Sequence, residues 1–375
     1  MYKGKDLSIY THIPFCLKRC NYCDFLTFCG DDAHYEGYVA ALCKDIADNS
    51  AQFAGHEVKT VFFGGGTPTC LSTKQLGAII SAITSHYKLS PATTISTEAN
   101  PETITAPYAQ ALNALGIGRI SIGVQTFDDE TLRLIGRLHS RQRALDAIGA
   151  AHAAGFKDIG IDLIFSLPHQ DEEAFARDLD IALSLPITHI STYSLTIEDN
   201  TPIAAMPALL AAMPSDKQDR RMYATAKERL QRGGFTQYEI SNFAKAGFEC
   251  RHNINYWTRG EYIGFGIGAH SFVGGVRFKR TDDLAAYIQG GFAPIILEEV
   301  DNTAAMSECM ILGLRLTRGV NASDFNNEFG MGIHEAFGDI INGFIKQGLL
   351  AEEGGHIRLT SKGIDLSNTV FAAFI

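Results

Sequence analysis

Residues 7–23 read LSIYTHIPFCLKRCNYC, and two features of this stretch decide how the rest of the chain is read. LSIYTHI is rich in β-branched and aromatic residues and predicts a strand. Directly after it, Cys16, Cys20 and Cys23 stand at C-x3-C-x2-C spacing. Three thiolates so close in sequence can wrap one compact ion or cluster. A [4Fe-4S] cube is normally held by four cysteines, so three leave one iron open for a small ligand. A structural zinc would need a fourth protein ligand, and the spacing fits the common zinc patterns poorly. The cluster is the favoured reading, with zinc and inert thiols as the alternatives.

Outward from this strand, β-rich runs alternate with amphipathic ones to about residue 230. Further strands are predicted at VKTVFFGG (from Val58), TTISTEAN (from Thr93), RISIGVQ (from Arg119), DIGIDLIFS (from Asp158) and HISTYSL (from His189). Between them, STKQLGAIISAITSHY and SRQRALDAIGAAHAAGF carry helical patterns. Such alternation predicts βαβ units and a parallel sheet. Six units make an α/β fold of the partial (β/α)6 TIM-like kind, since a full barrel needs eight. After Pro214 comes a helical run, then a Gly- and aromatic-rich stretch from Tyr238 to Gly275. From about Asp301 the pattern is helix, helix, then IKQGLL, EEGG and HIRLT: a helix and a hairpin turning on Gly-Gly. That predicts a small winged-helix-like α+β module. The expected division is 1–235 for the partial barrel, 236–300 for an extension and 301–375 for the module.

Composition narrows the function classes. The chain has 375 residues, 46% hydrophobic and 20% charged, with a net charge of −10. With no Lys/Arg block to grip phosphates, no nucleic acid partner is expected. The start of the chain shows neither an apolar signal core nor a cleavage site, and no run is long enough to span a bilayer. The expected compartment is therefore the cytoplasm, where clustered cysteines read as metal ligands rather than disulfides. Cys29, Cys43, Cys70, Cys250 and Cys309 are scattered and read as small core or surface residues. Of these, Cys29 is the one placed to approach the cluster.

The cysteine loop resembles the signature of the radical S-adenosylmethionine (SAM) superfamily. The resemblance implies that the open iron takes the amino and carboxylate groups of SAM. It also implies that an electron from the cluster cleaves SAM to methionine and a 5′-deoxyadenosyl radical. GGGTP (Gly64 to Pro68) follows the second predicted strand. Its glycines permit close backbone approach and expose N–H groups, although alone they equally suit a tight turn. In the superfamily such a segment binds the methionine amino group, which carries over to Gly64, Gly65 and Gly66, with Thr67 beside them. Glu98, Gln125, Arg137 and Asp162 fall at or near the C-terminal ends of predicted strands, the active-site end of a barrel. Arginine suits a carboxylate by bidentate pairing, and the acids suit ribose hydroxyls. These four are the remaining SAM candidates.

Longer segments narrow the resemblance. SIGVQTFDDETLRLIGRLHS, HISTYSLTIEDNTP, YEISNFAKAGFECRHNINYW and YIGFGIGAHSF are similar to the oxygen-independent coproporphyrinogen III oxidase group, and within it to the HemW branch of heme chaperones. The oxidase carries a fourth cysteine two residues after the third, where this chain has Phe25, and a long extension before its cluster loop. HNINYW (His252 to Trp257) matches the HNxxYW motif of the chaperone branch, which is associated with heme. This implies His252 as a heme ligand, with His270 of GAHSF as the alternative and Tyr256 and Trp257 stacking on the porphyrin. One loop departs: the family's GLPGQT is SLPHQD here (Ser166 to Asp171), which puts the loop's shape, or an added ligand at His169, in question. The function implied is binding of heme and its transfer to an acceptor protein, with an electron donor such as flavodoxin or ferredoxin. The alternatives are decarboxylation of coproporphyrinogen III in porphyrin biosynthesis and another radical SAM reaction. No catalytic residue is assigned, and SAM turnover is left open.

Overall fold

The structure, a computed structural model, describes residues 6–375. Six parallel strands lie side by side in chain order: β1 (Asp6–Ile13), β2 (Glu57–Gly65), β3 (Leu89–Ala99), β4 (Arg119–Gln125), β5 (Asp158–Phe165) and β6 (His189–Ser194). In β1 only Asp6 is exposed, the near-continuous burial of a strand covered on both faces. The covering helices are α1 (Asp32–Asp48), α2 (Thr73–His86), α3 (Ala106–Ala114), α4 (Asp129–Leu134), α5 (Arg141–Ala153) and α6 (Glu172–Leu183). Each starts on a side-chain cap that accepts a backbone N–H of the first turn: Asp31, Ser72, Thr105, Asp128, Ser140 and Asp171. Ser72 and Gln75 close a full capping box. These caps fix where each helix begins, and so what lies between it and the preceding strand end.

The sheet continues past the six strands on both sides. After α7 (Pro207–Leu210) and α8 (Asp216–Arg232), β7 (Thr236–Gln237) and β8 (Asn242–Ala244) run on beside β6, with β8 antiparallel to it. On the opposite edge, β9 (Tyr262–Phe265) pairs parallel with β1. β10 (His270–Val273), β11 (Val276–Lys279) and β12 (Ile295–Glu299) follow antiparallel. The result is one open sheet of twelve strands. Residues 236–300 therefore extend the barrel's own sheet rather than start another. β9 is a seventh parallel strand that the alternation does not reveal, because YIGF is too short to show a period. Between β8 and β9 lies α9 (Arg251–Trp257), packed against β2; α10 (Leu284–Ile288) packs against α1. A buried pair fastens this edge: Arg280 Nε donates to Asp45 Oδ2 of α1 at 3.2 Å, and the Tyr287 hydroxyl donates to the same oxygen at 2.8 Å.

The last part has its own core, around Met310, Leu314, Phe325, Ile341, Ile357 and Phe374. It is built from α11 (Asn302–Gly313), β13 (Val320–Asn321), α12 (Ala322–Phe329) and α13 (Ile333–Lys346), with the hairpin β14 (Leu350–Glu353) and β15 (His356–Leu359). Gly354 and Gly355 turn the hairpin with φ of 57° and 76°, the paired left-handed conformation of a type I′ turn. The fold is thus a TIM-like partial barrel with an extended sheet and a winged-helix-like module. Among the described residues no helix is long and apolar enough to cross a membrane.

Candidate cofactor site

The cysteine loop leaves β1 at the end of the barrel where Glu98, next to last in β3, and Gln125, last in β4, also lie; Asp162 sits within β5 rather than at its end, and Arg137 follows α4 rather than a strand. Its two limbs are tied together: Cys16 N–H donates to Phe28 O (3.0 Å) and Phe28 N–H to Pro14 O (2.7 Å). Its middle is tied to the end of α4 through Asn21, whose backbone N–H donates to Ile135 O (3.0 Å) and whose amide donates to Leu134 O (2.9 Å). All three triad thiols are half-buried. Among the described residues no three His, Cys, Asp or Glu side chains stand close enough to hold a single metal ion. A four-iron cube, with its irons at separate corners, asks for wider spacing. Burial pushes the Cys16 thiol up to about 11 and the Cys23 thiol up as well. Iron takes the thiolate, so cluster assembly draws these protons off.

Hydrogen-bond donors converge on the triad from behind. Arg137 Nη1 donates to Cys20 Sγ at 3.4 Å. Its Nη2 donates to Asn100 Oδ1 at 2.6 Å and to Gly123 O at 2.7 Å. Asn100 Nδ2 donates to Thr67 Oγ1 at 2.8 Å, and Thr67 Oγ1 lies 3.3 Å from Cys16 Sγ. With Asn100 fixing the direction, the Thr67 hydroxyl proton is free to point at the Cys16 sulfur. One continuous chain thus starts at Arg137 and ends on two triad sulfurs. Arg137 is buried, and its Nε has no partner among the described residues. Asn100 was not singled out from the sequence; its only local signal is the NP that follows β3.

The Gly64–Gly66 segment is used differently from the expectation that it exposes N–H groups. Gly65 N–H donates to Glu98 Oε2 (3.2 Å), Gly66 N–H to Ile13 O (2.8 Å) and Thr67 N–H to Phe15 O (2.7 Å). The carbonyls are what remain for an amino group, which is a donor. The glycines are required sterically: Gly65 has φ of 108°, and a Cβ at Gly66 would meet Phe15 O at 2.8 Å. Glu98 is pushed up to about 8, first by burial and then by the charge of Asp162, against the lowering effect of the Gly65 N–H. Asp162 is also raised by burial, while Ser191 and Ser121 hold it down. Gln125 is buried at the end of β4 with φ of 68°. A Cβ added at Gly123 would touch Gln125 Nε2, Asn100 Oδ1 and Arg137 Nη2, so these three side chains gather at one point. The structure therefore brings Glu98 and Asp162 together, and Gln125 with Arg137, beside the triad.

The SLPHQD loop has a backbone suited to glycine at two positions. Both residues that stand where the family has glycine are left-handed, Ser166 at φ 59° and His169 at 63°. A non-glycine residue there costs about 1–2 kcal/mol, which the loop bears. His169 is exposed, and its N–H donates to Ala212 O (2.9 Å).

His252 is placed otherwise than the motif suggested. Its Nδ1 lies 2.7 Å from Thr60 Oγ1 and its Nε2 2.9 Å from the Tyr256 hydroxyl, and its ring stacks on Phe62 at 5.0 Å. It is 2% exposed, and burial lowers its pKa to about 3. Both nitrogens are thus engaged, and in this arrangement His252 anchors α9 to β2. Tyr256 and Trp257 do line a cavity of about 520 Å³ together with Phe25, Phe272, Arg259 and Arg277. Cys29 is exposed, its Sγ 4.0 Å from Leu17 O.

A model of the radical SAM superfamily matches residues 10–182, and one of the HemN C-terminal domain matches residues 300–366. The barrel is that of a radical SAM protein, a class that carries a [4Fe-4S] cluster and SAM. The heme chaperone HemW of Bacillus subtilis (strain 168) is 36% identical, the match covering 98% of this chain and 99% of that protein. The heme chaperone HemW of Escherichia coli (strain K12) is 34% identical over the whole of both chains. A solved structure, coproporphyrinogen III oxidase (HemN) from Escherichia coli, described as a radical SAM enzyme, superposes with a TM-score of 0.88 at 25% identity. It covers all of this chain and 91% of that one. The chain belongs to the HemW family.

Proposed function

We propose that this protein binds heme and passes it to an acceptor protein, with its cluster and SAM as resident cofactors. The observation that carries this is the cavity at the edge of the cysteine loop, walled by Phe25 and the HNxxYW residues Tyr256 and Trp257. Where the oxidase has a fourth cysteine, Phe25 presents a ring that is 65% exposed. A flat apolar ring of that kind suits a porphyrin face. In this reading Cys16, Cys20 and Cys23 hold the cluster, and the Gly64–Gly66 carbonyls take the SAM amino group. Glu98, Gln125 and Asp162 face the rest of SAM. When reduced, the cluster supplies the electron for SAM cleavage; an electron donor such as flavodoxin or ferredoxin would deliver it. The chain's own residues bind, orient and set the charge around it.

The test is anaerobic incubation of the reconstituted protein with hemin and, separately, with coproporphyrinogen III and a reductant. Hemin is expected to bind, and coproporphyrinogen III to be recovered with all four propionates. Formation of a vinyl product would replace the chaperone reading with the oxidase one.

SAM affinity should also depend on pH through Glu98. Its carboxyl is about 8 in the folded protein, so near neutrality it is largely protonated. Asp162 raises it, the Gly65 N–H lowers it, and Tyr10 and Tyr193 lie in its field. SAM is cationic at sulfur and favours the carboxylate, so binding below pH 8 releases a proton. Affinity should then rise with pH by up to about tenfold per unit and level off above 8. Calorimetry in buffers of different ionisation enthalpy counts the protons released, and Glu98→Gln should lower that count by about one, leaving the proton that the SAM amino group sheds on binding iron. A proton count that Glu98→Gln leaves unchanged would place Glu98 away from SAM.

A further inference from the structure

We propose that heme sits in the cavity beside the cysteine loop, with His270 as its iron ligand and Arg259 and Arg277 as the pair that receives its carboxylates. This rests on the proposed heme-binding function and assigns its site. The cavity, about 520 Å³, is within the range of ligand pockets, about 300–1,000 Å³. Its floor is one face of the sheet's antiparallel edge. Phe272 on β10 lies opposite Arg277 on β11 and opposite Tyr262 on β9. His270 is two residues before Phe272 on the same strand and so shares that face. The far wall is Tyr256 and Trp257 of α9, and Phe25 and Leu26 close the side toward the cluster.

Two histidines line this space, and only one is free to bind iron. His12 is 8% exposed, and its nitrogens meet the Tyr10 hydroxyl at 3.0 Å and Leu26 O at 3.1 Å. His270 is exposed. Burial and then the charge of Lys279 lower its pKa, Asp282 opposing, so its imidazole is neutral as a metal ligand must be. The two arginines meet over Phe272, their guanidinium carbons 5.6 and 5.3 Å from its ring centre. Both pair with Glu308, Arg259 Nε at 3.2 Å and Arg277 Nη1 and Nη2 at 2.8 Å. Glu328 and Glu298 take further donors from outside. The two guanidiniums thus meet three carboxylates, of which Glu308 lines the cavity, and a ligand carboxylate would take donors in exchange for one of these. Each guanidinium has five donors in a fork suited to carboxylates. His270 stands about 7 Å along β10 from Phe272, so iron at the imidazole and carboxylates over Phe272 fall at the centre and rim of one ligand. Tyr10, on the same cavity wall, lies in the field of Glu98. The site therefore adjoins the residues assigned to SAM.

The test uses the full chain with its cluster reconstituted anaerobically, so that no triad thiolate competes for iron. Hemin and metal-free protoporphyrin IX are titrated into the unsubstituted protein, His270→Ala, Arg277→Gln and His252→Gln. His270→Ala should lose the imidazole-type Soret band and EPR signal. Its hemin affinity should fall to that for protoporphyrin IX, which should itself be unchanged. Arg277→Gln should weaken both ligands alike, and His252→Gln should keep the ligand spectrum. An imidazole-ligated spectrum that survives in His270→Ala overturns this site while heme binding, and with it the proposed function, stands. Loss of that spectrum in His252→Gln alone returns the ligand to His252. Hemin that fails to bind the unsubstituted protein overturns both readings.

Discussion

Cys20→Ala should abolish the broad iron–sulfur absorbance and the EPR signal of the anaerobically reconstituted protein. Cys16→Ala and Cys23→Ala should do the same, and Cys29→Ala should leave both nearly intact. The reason is ligand number. A cube with one iron open for SAM already has the fewest protein ligands that hold it on three corners. Arg137, which donates to the Cys20 sulfur, is a cation and cannot take the lost thiolate's place on iron. Cys29 is exposed and approaches only a backbone carbonyl, so its loss removes a thiol and no ligand. A normal iron content and spectrum in Cys20→Ala would remove the basis for placing the cluster here.

How much of this was legible in the sequence depends on the range over which each feature is determined. Local features were readable. The run that opens at Ser72 was readable as a helix, and Gly354 and Gly355 as the hairpin turn, because an amphipathic pattern or a left-handed turn is settled within a short stretch. The six βα units were readable because β-branched and aromatic runs alternate with helical patterns along the chain. β9 was not, because four residues carry no period and its partner β1 is some 250 residues away in the chain. The site shows the same division. The C-x3-C-x2-C loop lies in one segment and was legible. The link from Arg137 through Asn100 and Thr67 to Cys16 crosses four segments, and no spacing records it. His252 shows the converse case. The motif marks it, but what it touches, Thr60 and Tyr256, depends on how α9 lies against β2. That packing sets what each His252 nitrogen meets, and no spacing in the motif records it.

The same link yields the second large effect. Arg137 donates to Cys20 Sγ directly and, through Asn100 and Thr67, orients a hydroxyl toward Cys16 Sγ. Reduction adds negative charge to a cluster, and that charge spreads onto its thiolates. A cation and a hydroxyl aimed at those sulfurs therefore stabilise the reduced state more than the oxidised one, which raises the potential. Arg137→Gln keeps a planar amide able to reach Asn100 or Gly123 but removes the charge, so the potential should fall. A charge-assisted hydrogen bond is worth about 1.5–3 kcal/mol. If a good part of that is specific to the reduced cluster, the shift is several tens of millivolts, at about 59 mV per tenfold change for one electron. Thr67→Val, which removes the hydroxyl and keeps the shape, should lower it by less. EPR-monitored redox titration reads both, and iron content shows that the cluster is retained. SAM titration of the same proteins then separates two roles. If Arg137 also faces the SAM carboxylate, Arg137→Gln should raise the SAM dissociation constant by about ten- to a hundredfold, while Thr67→Val moves it much less. A potential unchanged in both variants would mean that the donors do not reach the cluster's sulfurs, and that the chain of hydrogen bonds behind the triad serves the fold alone.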